Sequence, residues 1–254
     1  MKKIDRTGET NTNKYGSEMT IIKYHNANDM VVEFKNDYKT KPQYKDFKKG
    51  NVKNPYDKTV FNIGYLGEGI YTSRTNNIKN IQYIYWISLF SRCYGESELL
   101  KRPRYKDCTI CEEWHNFQNF AEWFDNNYYE IDNEKMCLDK DILVKGNKVY
   151  SPDTCIFVPD RINCLFVKSN NVRGDYPIGV SKSRNTTNKH FLCRCNTLDK
   201  SVYLGHYQTP EEAFYKGYKP FKEQYIKQVA NEYKDKIPKV LYDALYRYEV
   251  EITD

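Results

Sequence analysis

The chain has 254 residues, with 40 Lys and Arg against 34 Asp and Glu, a net charge of +6, and 39% hydrophobic residues beside 15% aromatics. No run of about 18 apolar residues is present, which excludes a transmembrane helix. No apolar stretch follows Met1-Lys2-Lys3, so no secretory signal is expected and the reading is cytoplasmic. The aromatic load, 24 Tyr among it, excludes full disorder.

The charge is unevenly placed. Residues 1–70 sum to +4, 71–175 to −1 and 176–254 to +3. Basic ends suit a polyanion, and a carboxylate-bearing centre suits a metal. Eight Cys without a secretory signal argue against a disulfide framework and for small buried hydrophobes.

After a polar lead-in, Thr20-Ile21-Ile22-Lys23-Tyr24 and Met30-Val31-Val32-Glu33-Phe34 are rich in β-branched and aromatic residues, with a turn at His25–Asp29. Lys48-Lys49-Gly50-Asn51 and Lys53-Asn54-Pro55-Tyr56 are further turn signals. Residues 1–70 therefore read as a small β-barrel. Tyr24, Tyr38, Tyr44 and Phe47 interleave with Lys45, Lys48, Lys49 and Lys53. That mix suits nucleic-acid stacking and backbone contact, and equally a barrel core with snorkelling lysines.

Tyr83, Trp86, Ile87 and Phe90 share one helical face, and Phe117, Phe120, Ala121 and Phe124 repeat the spacing. Leu138-Asp139-Lys140-Asp141, Gly146-Asn147-Lys148 and Tyr150-Ser151-Pro152-Asp153 punctuate like a hairpin. Cys155–Val158 reads as a strand, with Pro159 opening a short helix past Asn163. A polar linker spans 169–175. Beyond it, Phe191, Cys193 and Cys195 alternate with Leu192, Arg194 and Asn196, and Val202, Leu204 and His206 alternate with Tyr203 and Tyr207. Thr209-Pro210-Glu211-Glu212 is a capping box with Pro at the first helical position. The helix runs on with a break near Pro220, and Pro238 starts a last helix through Leu241, Ala244 and Leu245. The fold class read from these elements is α+β.

Ile178-Gly179-Val180, His190-Phe191, Val202-Tyr203-Leu204-Gly205 and Thr209–Ala213 resemble the plant ethylene-response-factor (Apetala-two) DNA-binding domain, over about residues 176–218. The resemblance implies a three-stranded sheet in the major groove of double-stranded DNA, packed on a helix. The implied contacts are Lys182, Arg184, Lys189, Arg194, Asn196 and Tyr203. Where the family places Arg on its first strand, this chain has Ser181 and Ser183, which weakens base readout more than backbone binding.

Trp86, Arg92-Cys93-Tyr94, Tyr105–Trp114, Asn116–Phe120, Leu138–Asp141 and Tyr150–Cys155 resemble the HNH (His-Me finger) endonuclease proteins of phages, over about residues 80–165. That implies a ββα-type nuclease domain at 71–175 holding Mg²⁺, with Asp139 as metal ligand, Asp141 as second carboxylate or weak base, and Asn147 and Asn163 as orienting residues. The family's general base is a His. Here no His lies between His115 and His190, and the base position is Lys140. With a pKa of about 10.4, Lys is a poor base at neutral pH. Cys108-x-x-Cys111 offers half a zinc site, with Cys93, Cys137 or Cys155 to complete it. Without a second such pair, core packing is the preferred reading.

The function expected from these resemblances is a phage or mobile-element DNA-binding protein of homing-endonuclease architecture, with metal-dependent strand cleavage. The alternative is an inactive descendant, acting as a DNA-binding regulator or as a phage inhibitor of a host nuclease or defence system, with a host protein partner. A third reading is a protein-interaction module built on its many Tyr.

Overall fold

A computed structural model describes residues 4–166, 175–183 and 190–254. Helix takes 34% and strand 24% of the chain, in several small sheets, so the class is mixed α+β. The chain divides into two compact units, Met1–Asn126 with Lys148–Ser151, and Asn127–Asn147 with Pro152–Asp254. This two-way division by packing does not follow the three-way division by charge. Among the described residues, no helix is long and apolar enough to cross a membrane.

In the first unit, β1 (Thr10–Thr12), β2 (Glu18–Asn26), β3 (Asp29–Phe34) and β4 (Lys39–Thr40) form an antiparallel meander in that order. Period-two alternation puts Met30, Val32 and Phe34 on one buried face. Helix α1 (Tyr44–Lys48) lays Phe47 against that core, with Tyr24, Tyr38 and Tyr44 at its margin. Lys45, Lys48, Lys49 and Lys53 stay exposed. The expected barrel is corrected here: no sheet closes among the described residues. Closure needs edge strands long enough to pair with one another. The edges here have 3 and 2 residues.

A two-residue hairpin, β5 (Arg74–Thr75) to β6 (Ile78–Lys79), turns through Asn76 and Asn77 at φ 50° and 64°, the left-handed pair that tight hairpins require. Helix α2 (Ile81–Tyr94) buries Trp86, Leu89, Phe90 and Cys93; α3 (Glu96–Lys101) follows; α4 (Phe117–Asn127) buries Phe117, Phe120, Ala121 and Phe124. Ile87, expected in the α2 face, is half-buried, and Leu89 lies in the stripe instead. The Trp86 indole N–H donates to the Trp114 carbonyl at 2.7 Å, so this fully buried ring leaves no orphan donor. Strand β7 (Thr109–Ile110) pairs in parallel with β9 (Val149–Tyr150).

In the second unit, β8 (Met136–Asp139) pairs antiparallel with β10 (Ile156–Pro159), and α5 (Asp160–Asn163) follows at once. The sheet β11 (Val180–Lys182), β12 (Phe191–Asn196) and β13 (Ser201–Tyr207) is antiparallel in that order. Val180, Cys193 and Cys195 bury one face against Ala213, Phe214 and Tyr218. The covering helix starts as α6 (Pro210–Glu212), widens to a π turn at Ala213–Tyr218 and continues as α7 (Lys219–Glu232). Pro220 has no N–H and its ring crowds the preceding turn, and the π turn absorbs that mismatch without ending the helix. Helix α8 (Lys239–Tyr246) buries Leu241 and Leu245 in the same core, which also takes in Ile156, Val158 and Ile162 of the β8–β10–α5 unit.

The Thr209 hydroxyl accepts the Glu212 N–H at 3.1 Å, and the Glu212 carboxylate accepts the Gln208 N–H at 3.1 Å, one residue before the expected return bond. Thr209→Ala is expected to cost about 1 kcal/mol, read as a lower urea midpoint with an unchanged slope.

Candidate functional site

The β8–β10–α5 unit carries all four of the carboxylate and amide positions singled out from sequence. Asp139 ends β8, and its Oδ1 accepts the N–H groups of Asp141 and Ile142, each at 2.8 Å. The carboxylate thereby caps the turn leaving the strand. Lys140 is 6% exposed, and its Nζ lies 3.2 Å from Asp141 Oδ2. Asn147 donates from Nδ2 to the Lys140 carbonyl at 2.7 Å, tying the far end of the loop to its start, and Gly146 supplies the positive φ of 79° for the turn between. Asn163 sits half-buried on α5 and makes no side-chain hydrogen bond among the described residues. The structure thus gathers Asp139, Asp141 and Asn147 around Lys140 and leaves Asn163 on the next element.

Burial, followed by the negative charge of Asp141, pushes the Asp139 carboxyl up to about 6. Lys145, further along the loop, donates to the Glu249 carbonyl at 2.9 Å and pairs with Asp254 at 3.0 Å, so residues 249–254 are held against this loop. These residues do not fit a divalent ion well. One Asp139 oxygen is taken up by two backbone N–H groups, and a buried ammonium already pairs with the second carboxylate. A further cation there would face Lys140 at close range.

Cys108 is buried with its Sγ 3.9 Å from the Arg104 carbonyl, and Cys111 leads into a three-ten turn at Glu112–His115. Burial raises the Cys111 thiol, which favours the protonated form over the thiolate that zinc requires.

The second constellation lies on the exposed face of the three-stranded sheet. Arg194 opposes Tyr203 and Asn196 opposes Ser201, while Cys193 and Cys195 point to the core. Arg194, Asn196 and Tyr203 therefore share one solvent face, with Tyr203 55% exposed. Lys182 opposes Phe191, so it has the parity of the covered face and is exposed only at the strand end. Arg184 and Lys189 lie outside the described residues.

His206 is the member that alternation in the sequence misplaces. The ladder shifts between Cys193 and Arg194, with Cys193 opposite Gly205 and Arg194 opposite Tyr203. Leu204 is the extra residue of a bulge, and Gly205 takes φ 123° beside it. The bulge turns His206 to the same face as Tyr203. The Tyr203 hydroxyl lies 2.7 Å from His206 Nδ1, and His206 Nε2 lies 3.1 Å from Ser183 Oγ. Leu204-Gly205 was the only available signal, because a Gly inside a strand marks a bulge. No protein-family model, curated protein or solved structure matches the chain.

The raised Asp139 carboxyl has a definite sign in stability. The folded state binds the proton more tightly than the unfolded chain. The contribution is therefore full below about pH 4 and is lost as pH rises through about 6. Asp139→Asn keeps a capping oxygen and removes this titration. Across that window, urea midpoints of the wild type should fall relative to those of the variant.

Proposed function

We propose that this chain is a double-stranded DNA-binding protein that grips the duplex with the exposed face of its C-terminal sheet. In this reading it is similar to the phage proteins that join an HNH domain to an Apetala-two-type domain and works in a bacterial cytoplasm. The observation that carries the reading is the one-sided sheet. Its inner face is closed by Phe214 and Tyr218, while its outer face collects Arg194, Asn196, Tyr203, His206 and Ser183. A guanidinium, an amide, a phenol, an imidazole and a hydroxyl are all groups that contact phosphates and base edges. Among the described residues Arg194 has no ion pair, so its charge is available to a phosphate.

The hairpin unit is best read as a retired nuclease centre. Lys140 stands where the family's base would be, and its ammonium is buried against Asp141 rather than presented to water. A group held in that way neither accepts a proton from an attacking water nor leaves room for the metal. The protein would then act as a DNA-binding regulator or as an inhibitor of a host nuclease.

Gel shifts on duplex DNA at stepped salt test both statements. Binding should weaken steeply with salt, and Arg194→Ala should lower the slope by about one and cost about 1–3 kcal/mol. A salt-independent response, or no shift, points to a protein partner instead. The same reactions with Mg²⁺ or Mn²⁺ should leave the DNA intact. Strand cleavage that disappears in Asp139→Ala would restore the nuclease reading.

A further inference from the structure

Among the described residues of the first unit, one desolvated charge has no carboxylate partner. Arg92, in the last turn of α2, is only partly exposed and is largely desolvated by the protein around it. Its Nε donates to the Ser88 carbonyl at 3.3 Å, Nη2 to the Ser88 hydroxyl at 3.1 Å and Nη1 to the Tyr150 hydroxyl at 3.4 Å. The groups that bear most on its charge are Tyr150, Tyr105 and Cys93, none of them a carboxylate. The Tyr150 ring lies 5.8 Å from the guanidinium carbon.

A guanidinium stays charged at every accessible pH and has five N–H donors. Three are used, and one N–H on each terminal nitrogen remains. An uncompensated charge in such surroundings is costly unless an anion completes it. Tyr105, one of the groups that bear on Arg92, carries a second cation of its own. Arg104 stacks over the Tyr105 ring at 5.1 Å, and the Lys148 ammonium lies 3.5 Å from the Arg104 carbonyl. Neither has an ion pair among the described residues, whereas Lys101 and Arg102 are both engaged by Glu98.

We infer that Arg92 binds a phosphate group. Two terminal N–H groups match two oxygens of a tetrahedral oxyanion, and the bound anion supplies the counter-charge. The site belongs to the first unit and does not depend on the sheet face of the second.

Phenylglyoxal labelling of the intact wild-type protein, read arginine by arginine by peptide mass spectrometry, tests this without a variant that might not fold. Reactions are run at constant ionic strength with chloride as the balancing anion. Inorganic phosphate at about ten times its dissociation constant should slow Arg92 labelling roughly tenfold, and leave Arg6, which is paired with Glu9, unchanged. Protection by a short duplex as well identifies the group as a backbone phosphate. Protection by inorganic phosphate alone identifies a small phosphorylated ligand. Equal labelling with and without either probe overturns the site, as does an Arg92 that never reacts, since it is then sealed from any ligand. Labelling of Arg194 in the duplex arm reports the sheet face separately, so either assignment can fail without the other.

Discussion

The three-stranded C-terminal sheet buries only one of its faces, and the placement of the candidate residues on that sheet follows from that limit. Val180, Cys193 and Cys195 carry little volume each, so the cover must come from larger side chains on the facing helix, Phe214 and Tyr218. Burying a side chain such as Phe214 contributes about 1.5–3 kcal/mol, and it is available only if the strands keep their alternation. The polar partners on the other side are then fixed in place as a consequence. Arg194 is exposed because Cys193 and Cys195 are buried. The first unit obeys the same limit with different residues, Phe47 of α1 lying over Met30, Val32 and Phe34.

Local chemistry was legible in the sequence, and long-range pairing was not. The four-residue face of α4, the Thr209 cap and the helix starting at Pro238 depend on neighbours within a turn or two, and each lies where its spacing places it. The barrel failed because closure depends on which distant edges meet, and no local pattern encodes that. The apparent hairpin near Gly146 hid a more distant arrangement. Val149–Tyr150 pairs with Thr109–Ile110, and the strand antiparallel to β8 begins at Ile156. Alternation misassigned His206 for a different reason. A bulge adds one residue to the count, and period two then resumes on the opposite face.

Lys140 sits in a turn whose backbone is held by other residues. The turn is held by Asp139 through backbone N–H groups and by Asn147 through a backbone carbonyl. Neither bond depends on which side chain occupies position 140. The loop can therefore keep its shape whichever side chain stands at position 140, and the Lys140 found there pairs with the neighbouring Asp141.

Residues 148–151 belong to the first unit although the chain before and after them belongs to the second. The polypeptide therefore passes from one unit to the other three times. A single genetic crossover cannot exchange one half of the molecule for a foreign one, since any cut leaves a strand of one unit encoded with the other. Descent for these two units must run jointly, as one inherited piece. The segment after this passage is tied to the same piece, because Ile142 lies before it and shares one core with Val158, Cys193 and Phe214 beyond it.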